Sequence, residues 1–215
     1  MGFDKAFWDE HGYVHIKHAV PKEQLAAVIG DMESFTGKQF FDEGQWYREP
    51  MGGGGMVNMA HTQAEWDNRQ SPRVYDTFAG IWDREDLFVT INRTNFNPPV
   101  GPNWDHAGFI HWDLDPALRP IELRVQGVLY LADTAEDMGG FQCVPGSHRR
   151  LKEWQEKNSK GAPTEDEIKD GLEVKRIAGE AGDLVIWQAS LLHGNGKNTS
   201  KRPRLAQYIC MTPEG

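Results

Sequence analysis

The sequence predicts a mainly β protein, a jelly-roll barrel with helices packed against it from the N-terminal side. From Leu87 onward the chain breaks into short β-rich runs separated by well-marked turns, the pattern of a sandwich or barrel. Before Leu87 the apolar residues recur at three- and four-residue spacing, the period of an amphipathic helix. The 215 residues are 39% hydrophobic and 26% charged, which suits one folded unit with a substantial core. We therefore expect a single domain over residues 1–215, with a helical front over 1–86 and a jelly-roll core over 87–215.

Taken in order, the first helix has Pro21 at its first position and an inward stripe of Leu25, Val28, Ile29, Met32 and Phe35, and it stops at Gly37. Residues 45–63, with Gly52-Gly53-Gly54-Gly55, read as a mobile loop; the Gly-Lys-Ser/Thr ending of a phosphate-binding loop is missing. A second helix starts at Ser71-Pro72 and turns Val74, Phe78, Ile81 and Trp82 inward. Strands are expected over 87–96, 109–114, 123–132, 141–145, 173–178, 183–188 and 204–212. Asn97-Pro98-Pro99, Asp115-Pro116, Met138-Gly139-Gly140, Pro145-Gly146-Ser147 and Ala181-Gly182-Asp183 supply turns between them. A polar insert, residues 153–171, interrupts the strands, and its Thr164-Glu165-Asp166-Glu167 has the form of a capping box.

The charge balance excludes several partners. With 23 basic and 32 acidic residues the net charge is −9, and no basic run exceeds Arg149-Arg150-Leu151-Lys152, so nucleic acid and anionic membrane are not expected ligands. No apolar run approaches the ~18 residues of a membrane span, and Met1 to Ala6 lack the apolar stretch of a secretory leader. Two cysteines, Cys143 and Cys210, are too few for a disulfide or zinc-thiolate framework, so we expect a protein of the reducing cytoplasm. Eight Trp and eight His are the unusual counts, and the aromatic excess leaves room for a homodimer.

The chemistry begins at Phe109-Ile110-His111-Trp112-Asp113. In a strand, side chains two apart share a face, so His111 and Asp113 converge while Trp112 points away. One imidazole and one carboxylate are two-thirds of a facial triad for non-haem iron; alone, the pair reads equally as a hydrogen-bonded histidine beside a turn-capping aspartate. His193, which ends the apolar run from Gly182-Asp183-Leu184, is the candidate third ligand. Eleven residues later Arg204 opens another apolar strand, and a buried guanidinium requires an anion.

His111-x-Asp113, His193, Arg204, Val144-Pro145-Gly146-Ser147-His148 and Gly182-Asp183-Leu184 together resemble the phytanoyl-CoA dioxygenase-like family of Fe(II)/2-oxoglutarate-dependent oxygenases. The resemblance runs in motif order over roughly residues 8–212, from a strand at Gly12-Tyr13-Val14 onward. It implies a cupin-like double-stranded β-helix in which His111, Asp113 and His193 hold Fe(II), with open positions for 2-oxoglutarate and O2. It further implies that Arg204, preferred over Arg202, pairs with the distal carboxylate of 2-oxoglutarate, and that Asn195 contacts the same cosubstrate. The expected outcome is hydroxylation of a small polar or acidic metabolite with release of succinate and CO2, since a carboxylate occupies the position that Gly or Ala takes in related halogenases.

Where relatives carry a Trp against the cosubstrate this chain has Val128, with Gln126 and Tyr130 on the same strand face as replacements. Arg93, Asn95 and Trp104 are the candidate substrate wall, with Trp46 or Asn58 as further contributors; Arg93, Arg119 and Arg124 fit a substrate anion or a surface salt bridge equally. Two other readings of the same residues are a jelly-roll module that binds a metal or ligand without turnover, and a cupin-type metalloenzyme that needs no cosubstrate.

Overall fold

The computed structural model describes residues 3–49, 52–59, 61–106, 110–114, 122–157 and 172–214. Arg119, the Asp115-Pro116 turn and the capping-box motif of residues 164–167 lie outside the described residues.

Helix α1 (Lys5–His11) starts where the Asp4 carboxylate accepts from the Phe7 amide and ends at Gly12, whose φ of 78° is the left-handed conformation glycine tolerates. Strand β1 (Tyr13–Ile16) follows. Helix α2 (Lys22–Thr36) runs to Gly37 at φ 65°, and Pro21 sits just before it as the cap instead of inside its first turn. Leu25, Val28 and Met32 are buried as expected, whereas Phe35 is exposed at the far end of the stripe. Helix α3 (Gln63–Arg69) carries a capping box: the Thr62 hydroxyl accepts from the Glu65 amide, and the Glu65 carboxylate accepts from the Thr62 amide. Helix α4 (Pro72–Trp82) buries Val74 and Phe78.

Within the stretch expected as a mobile loop, Gly52 to Met56 form a tight turn built against the sheet. A side chain at Gly52 would lie 1.9 Å from the Met56 carbonyl oxygen, and one at Gly55 (φ 77°) would lie 2.3 Å from that of Phe96. That close approach allows strand β2 (Met56–Val57) to pair with Thr94 and Asn95. The front of the chain is accordingly not only helical, because β1 and β2 are the two edges of the main sheet.

The β region comprises β3 (Leu87–Asn97), β4 (Val125–Tyr130), β5 (Phe141–Cys143), β6 (Lys175–Arg176), β7 (Leu184–Gln188), β8 (His193–Asn195) and β9 (Arg204–Pro213). Between β5 and β6 lies helix α5 (Leu151–Lys157). One sheet has the order β1-β7-β4-β9-β3-β2 and the other β6-β5-β8, and all pairings are antiparallel. The expected strand over 109–114 reduces, among the described residues, to a single bridge from His111 to His193, and His193 opens its own strand after a turn instead of ending β7.

Two cores follow from strand alternation. One face of the main sheet, with Phe96, Leu129, Ile186, Leu205 and Ile209, packs under α2 and α4; the other, with Val128, Tyr130, Val185 and Ala206, meets Phe141 and Cys143 of the small sheet. The helices cover the outer face, so the space between the sheets is left for a site. A β-bulge between Val89 and Ile91 inserts one residue into β3. Val89 packs toward the helices before it, and Phe96 does so after it, which turns Ile91, Arg93 and Asn95 toward the space between the sheets.

Candidate metal centre and anion pocket

His111 and His193 are set side by side by their own backbones: the His111 amide donates to the His193 carbonyl at 2.9 Å and the His193 amide returns the bond at 3.0 Å. Their rings lie 4.7 Å apart between centroids. Asp113 closes the group, with Oδ1 3.2 Å from His111 Nε2 and Oδ2 3.3 Å from His193 Nε2. One donor atom from each of the three lies within 4.8 Å of the others. His193 Nδ1 is 2.8 Å from the Leu191 carbonyl oxygen, which can only accept, so Nδ1 carries a proton, and Nε2, which faces Asp113, would offer its lone pair to a bound metal. Hydrogen bonds from His111 and His193 outweigh the burial of Asp113 and, with one from Gln126 Nε2 at 2.7 Å, hold its carboxyl well below the usual carboxylate range. Two imidazoles and an ionised carboxylate on one side of a cavity are the donor set of a facial non-haem iron site.

The cavity in front of them has a volume of 230 Å3 and is lined by Arg93, Gln126, Trp187, Asn195, Tyr208 and Cys210 among others. Behind Tyr208 stands Arg204, only 1% exposed. Its Nη1 donates to Asn95 Oδ1 at 3.1 Å and to the Tyr208 hydroxyl at 3.2 Å, while Nε and Nη2 are buried without a partner among the described residues. The Tyr208 hydroxyl also accepts from Asn195 Nδ2 at 2.9 Å, so its own proton remains to be donated. Burial, then the charge of Arg204, disfavours protonation of the nearby His106. Two orphaned guanidinium donors with a tyrosine hydroxyl beside them require an anion, and a carboxylate meets that need with two oxygens. The residues present therefore fit both an iron ion and a carboxylate cosubstrate.

The expected residues separate by depth. His111, Asp113, His193, Asn195, Gln126 and Arg93 line the cavity. Gln126 bonds to the Asp113 carboxylate, and Arg204 is buried at the start of β9, while Arg202 is exposed. Tyr130 shares the face of Gln126 but lies deeper, at 0% exposure, with its hydroxyl donating to the Ile177 carbonyl at 2.6 Å. Asn95 is outside the lining; its amide nitrogen donates to the Gly54 carbonyl at 2.8 Å and its oxygen serves Arg204. Trp104 donates to Asn97 Oδ1 at 2.9 Å, and Trp46 donates to the Phe40 carbonyl within the helical core. Sequence reasoning missed Tyr208, Cys210 and Trp187 as cavity residues. Arg204, Ala206, Tyr208 and Cys210 alternate on one strand face, so the signal for Tyr208 and Cys210 was available.

Residues 8–206 match the family model described as phytanoyl-CoA dioxygenase. The chain belongs to the phytanoyl-CoA dioxygenase family. It is 26% identical to Ava biosynthesis cluster protein O of Aspergillus versicolor, over 94% of this chain and 75% of that one. It is 22% identical to ectoine dioxygenase of Bordetella bronchiseptica, over 94% of this chain and 72% of that one. Among solved structures, the non-heme alpha ketoglutarate dependent epimerase SnoN from nogalamycin biosynthesis superposes with a TM-score of 0.69 at 17% identity, covering 97% of this chain and 80% of that one. This phytanoyl-CoA dioxygenase family member is an oxidoreductase, an Fe(II)- and 2-oxoglutarate-dependent dioxygenase that uses O2 and has the jelly-roll fold. No helix of the described residues is long and apolar enough to cross a membrane.

Proposed function

We propose that His111, Asp113 and His193 hold the iron, that Arg204 binds the distal carboxylate of 2-oxoglutarate, and that the enzyme is a hydroxylase of a small polar or acidic metabolite. The observation that carries this reading is the pair of buried donors on Arg204, unsatisfied among the described residues, behind the Tyr208 that lines the same cavity as the His-Asp-His group. A binding module without turnover has no use for that guanidinium. Iron with 2-oxoglutarate supplies the oxidation: one oxygen atom of O2 enters succinate as CO2 is lost, and the other enters the substrate.

The chain's own residues do the positioning. His193 presents Nε2 because Leu191 fixes its tautomer, and Gln126 orients Asp113. Tyr208 and Asn195 direct hydrogen bonds beside Arg204, so the cosubstrate enters a frame already assembled. The Asp113 carboxylate keeps its coordination position from halide, which favours hydroxylation, although SnoN, of the same fold, is an epimerase. The cytoplasm is the proposed location, from the cysteine usage, and a homodimer is the proposed assembly, from the exposed Phe35, Phe41, Trp66 and Phe88. A metabolite-mixture screen reading succinate release, followed by mass spectrometry, tests the activity. Hydroxylation adds one oxygen atom to a consumed metabolite, whereas turnover that is independent of 2-oxoglutarate contradicts the reading.

A further inference from the structure

Arg93 is an exposed cation on the lining of the metal-site cavity, and it has no hydrogen bond or ion pair among the described residues. Regular alternation would not put it there. Leu87 and Val89 pack toward the helices, so an unbroken β3 would point Ile91 and Arg93 the same way, into the apolar core. The bulge between Val89 and Ile91 reverses that parity, and Ile91 and Arg93 then stand opposite Cys210 and Tyr208, both of the cavity. A bulge that re-aims a cation at a reaction chamber, in a protein of net charge −9, asks for a ligand.

Arg204 does not answer for the same anion. Its strand partner is Asn97, four residues beyond Arg93 on β3, or about 13 Å at the rise of an extended strand. Arg204 is buried and bonds to Asn95 and Tyr208, whereas Arg93 is exposed and lies on the lining with Met56 and Ile91. The charges point the same way. Among the described residues Asp113 is the one carboxylate on the lining, iron and the two guanidinium groups exceed it, and the 2-oxoglutarate dianion leaves a positive charge unmatched beside Arg93.

We propose that Arg93 anchors an anionic group, carboxylate or phosphoryl, on the primary substrate, and so sets the substrate class of the enzyme. This rests on the Fe(II)/2-oxoglutarate reading above. The planar fork of Arg matches either anion through two parallel hydrogen bonds, and the short apolar wall of Met56, Ile91 and Cys210 takes the carbon skeleton that must reach the metal.

Binding without turnover tests this directly. Wild type, Arg93→Glu, Arg93→Gln and Arg93→Lys are loaded with Ni(II) and 2-oxoglutarate. Thermal unfolding is then followed at constant ionic strength with propionate, benzoate and methylphosphonate, each beside a neutral partner: propionamide, benzamide and dimethyl methylphosphonate. At least one anion should raise the Tm of the loaded wild type above its neutral partner. The shift should be lost in Arg93→Glu and Arg93→Gln and partly kept in Arg93→Lys, with apparent affinity for the anion falling at least about tenfold in Arg93→Glu. The carboxylate and methylphosphonate arms separate the two anion types. Equal shifts by anion and neutral partner, no shift with any anion, or an undiminished shift in Arg93→Glu overturns the proposal. So does a loss of the 2-oxoglutarate shift itself in the Arg93 variants, which would move Arg93 to the cosubstrate. If Ni(II) and 2-oxoglutarate fail to stabilise the wild type, the metal and cosubstrate reading fails instead.

Discussion

Asp183 and Asp113 each lie beside histidine, in opposite surroundings. Asp183 has a side chain of 0% exposure, and both of its oxygens accept from inside the protein. Its Oδ2 accepts from Lys17 at 2.6 Å, His15 at 3.0 Å and the Glu180 amide at 2.9 Å, and its Oδ1 accepts from the His18 amide at 2.9 Å. Asp113 is 40% exposed, and the Gln126 amide donates to it while its two oxygens turn toward imidazole Nε2 atoms at the edge of a cavity. A carboxylate saturated by backbone amides and a lysine is a clamp, here tying the segment after β1 to the start of β7. A carboxylate whose remaining lone pairs converge with two imidazoles is a ligand. The number of histidines nearby does not separate the two; what the unshared acceptors face does.

Substitution should pull these roles apart. Asp113→Ala is expected to reduce succinate release by about 10³-fold, or about 4 kcal/mol, while leaving Tm within about 2 °C of wild type. Parallel activity and calorimetry check it, and a large fall in Tm would make Asp113 a clamp as well. Asp183→Asn should do the reverse. The Asn side chain keeps one acceptor oxygen but turns an NH2 group toward the donors of the other, and loses the charge that faces Lys17, which lowers stability by about 3 kcal/mol in urea unfolding, with affinity for 2-oxoglutarate unchanged in the folded fraction.

The pH dependence of that gap sharpens the contrast. Burial opposes ionisation of Asp183, but Lys17, the His18 and Glu180 amides and His15 overcome it and hold the carboxyl below its ordinary value. The stabilisation is therefore complete above the unfolded pKa of about 3.9 and is lost as pH falls through the lower folded value. Urea midpoints of wild type and Asp183→Asn should keep a constant separation from pH 8 to 5 and converge only below about pH 4. The smallest effect is expected at Tyr208. Tyr208→Phe removes one hydroxyl beside Arg204 and should raise KM for 2-oxoglutarate about 5-fold, or about 1 kcal/mol, with little change in Tm.

The sequence was most legible where chemistry and periodicity coincide. His111, Asp113 and His193 could be named in order, and the family spacing from His193, with Pro203 breaking the chain after Arg202, singled out Arg204 over the exposed Arg202. Alternation gives a face but not a depth, which is why Tyr130 and Asn95 were expected at the cavity and lie behind it. The partnership of Gln126 with Asp113 could not be read, because it depends on how the segment after β3 folds back over β4. Strand β1, four residues long, was expected only through the family resemblance, and β2, two residues long, carries too little alternation to stand out within a helical front. The β3 bulge leaves no compositional mark, yet it decides where Arg93 points.

The central claim is that the His-Asp-His group and the unsatisfied guanidinium of Arg204 form one site for iron and 2-oxoglutarate. An anaerobic titration of Fe(II)-loaded protein with 2-oxoglutarate, followed by the visible metal-to-ligand charge-transfer band, tests it most directly. The band is expected to saturate with wild type and to need about 100-fold more 2-oxoglutarate in Arg204→Ala. No band with wild type, or the same titration curve with Arg204→Ala, would contradict the account.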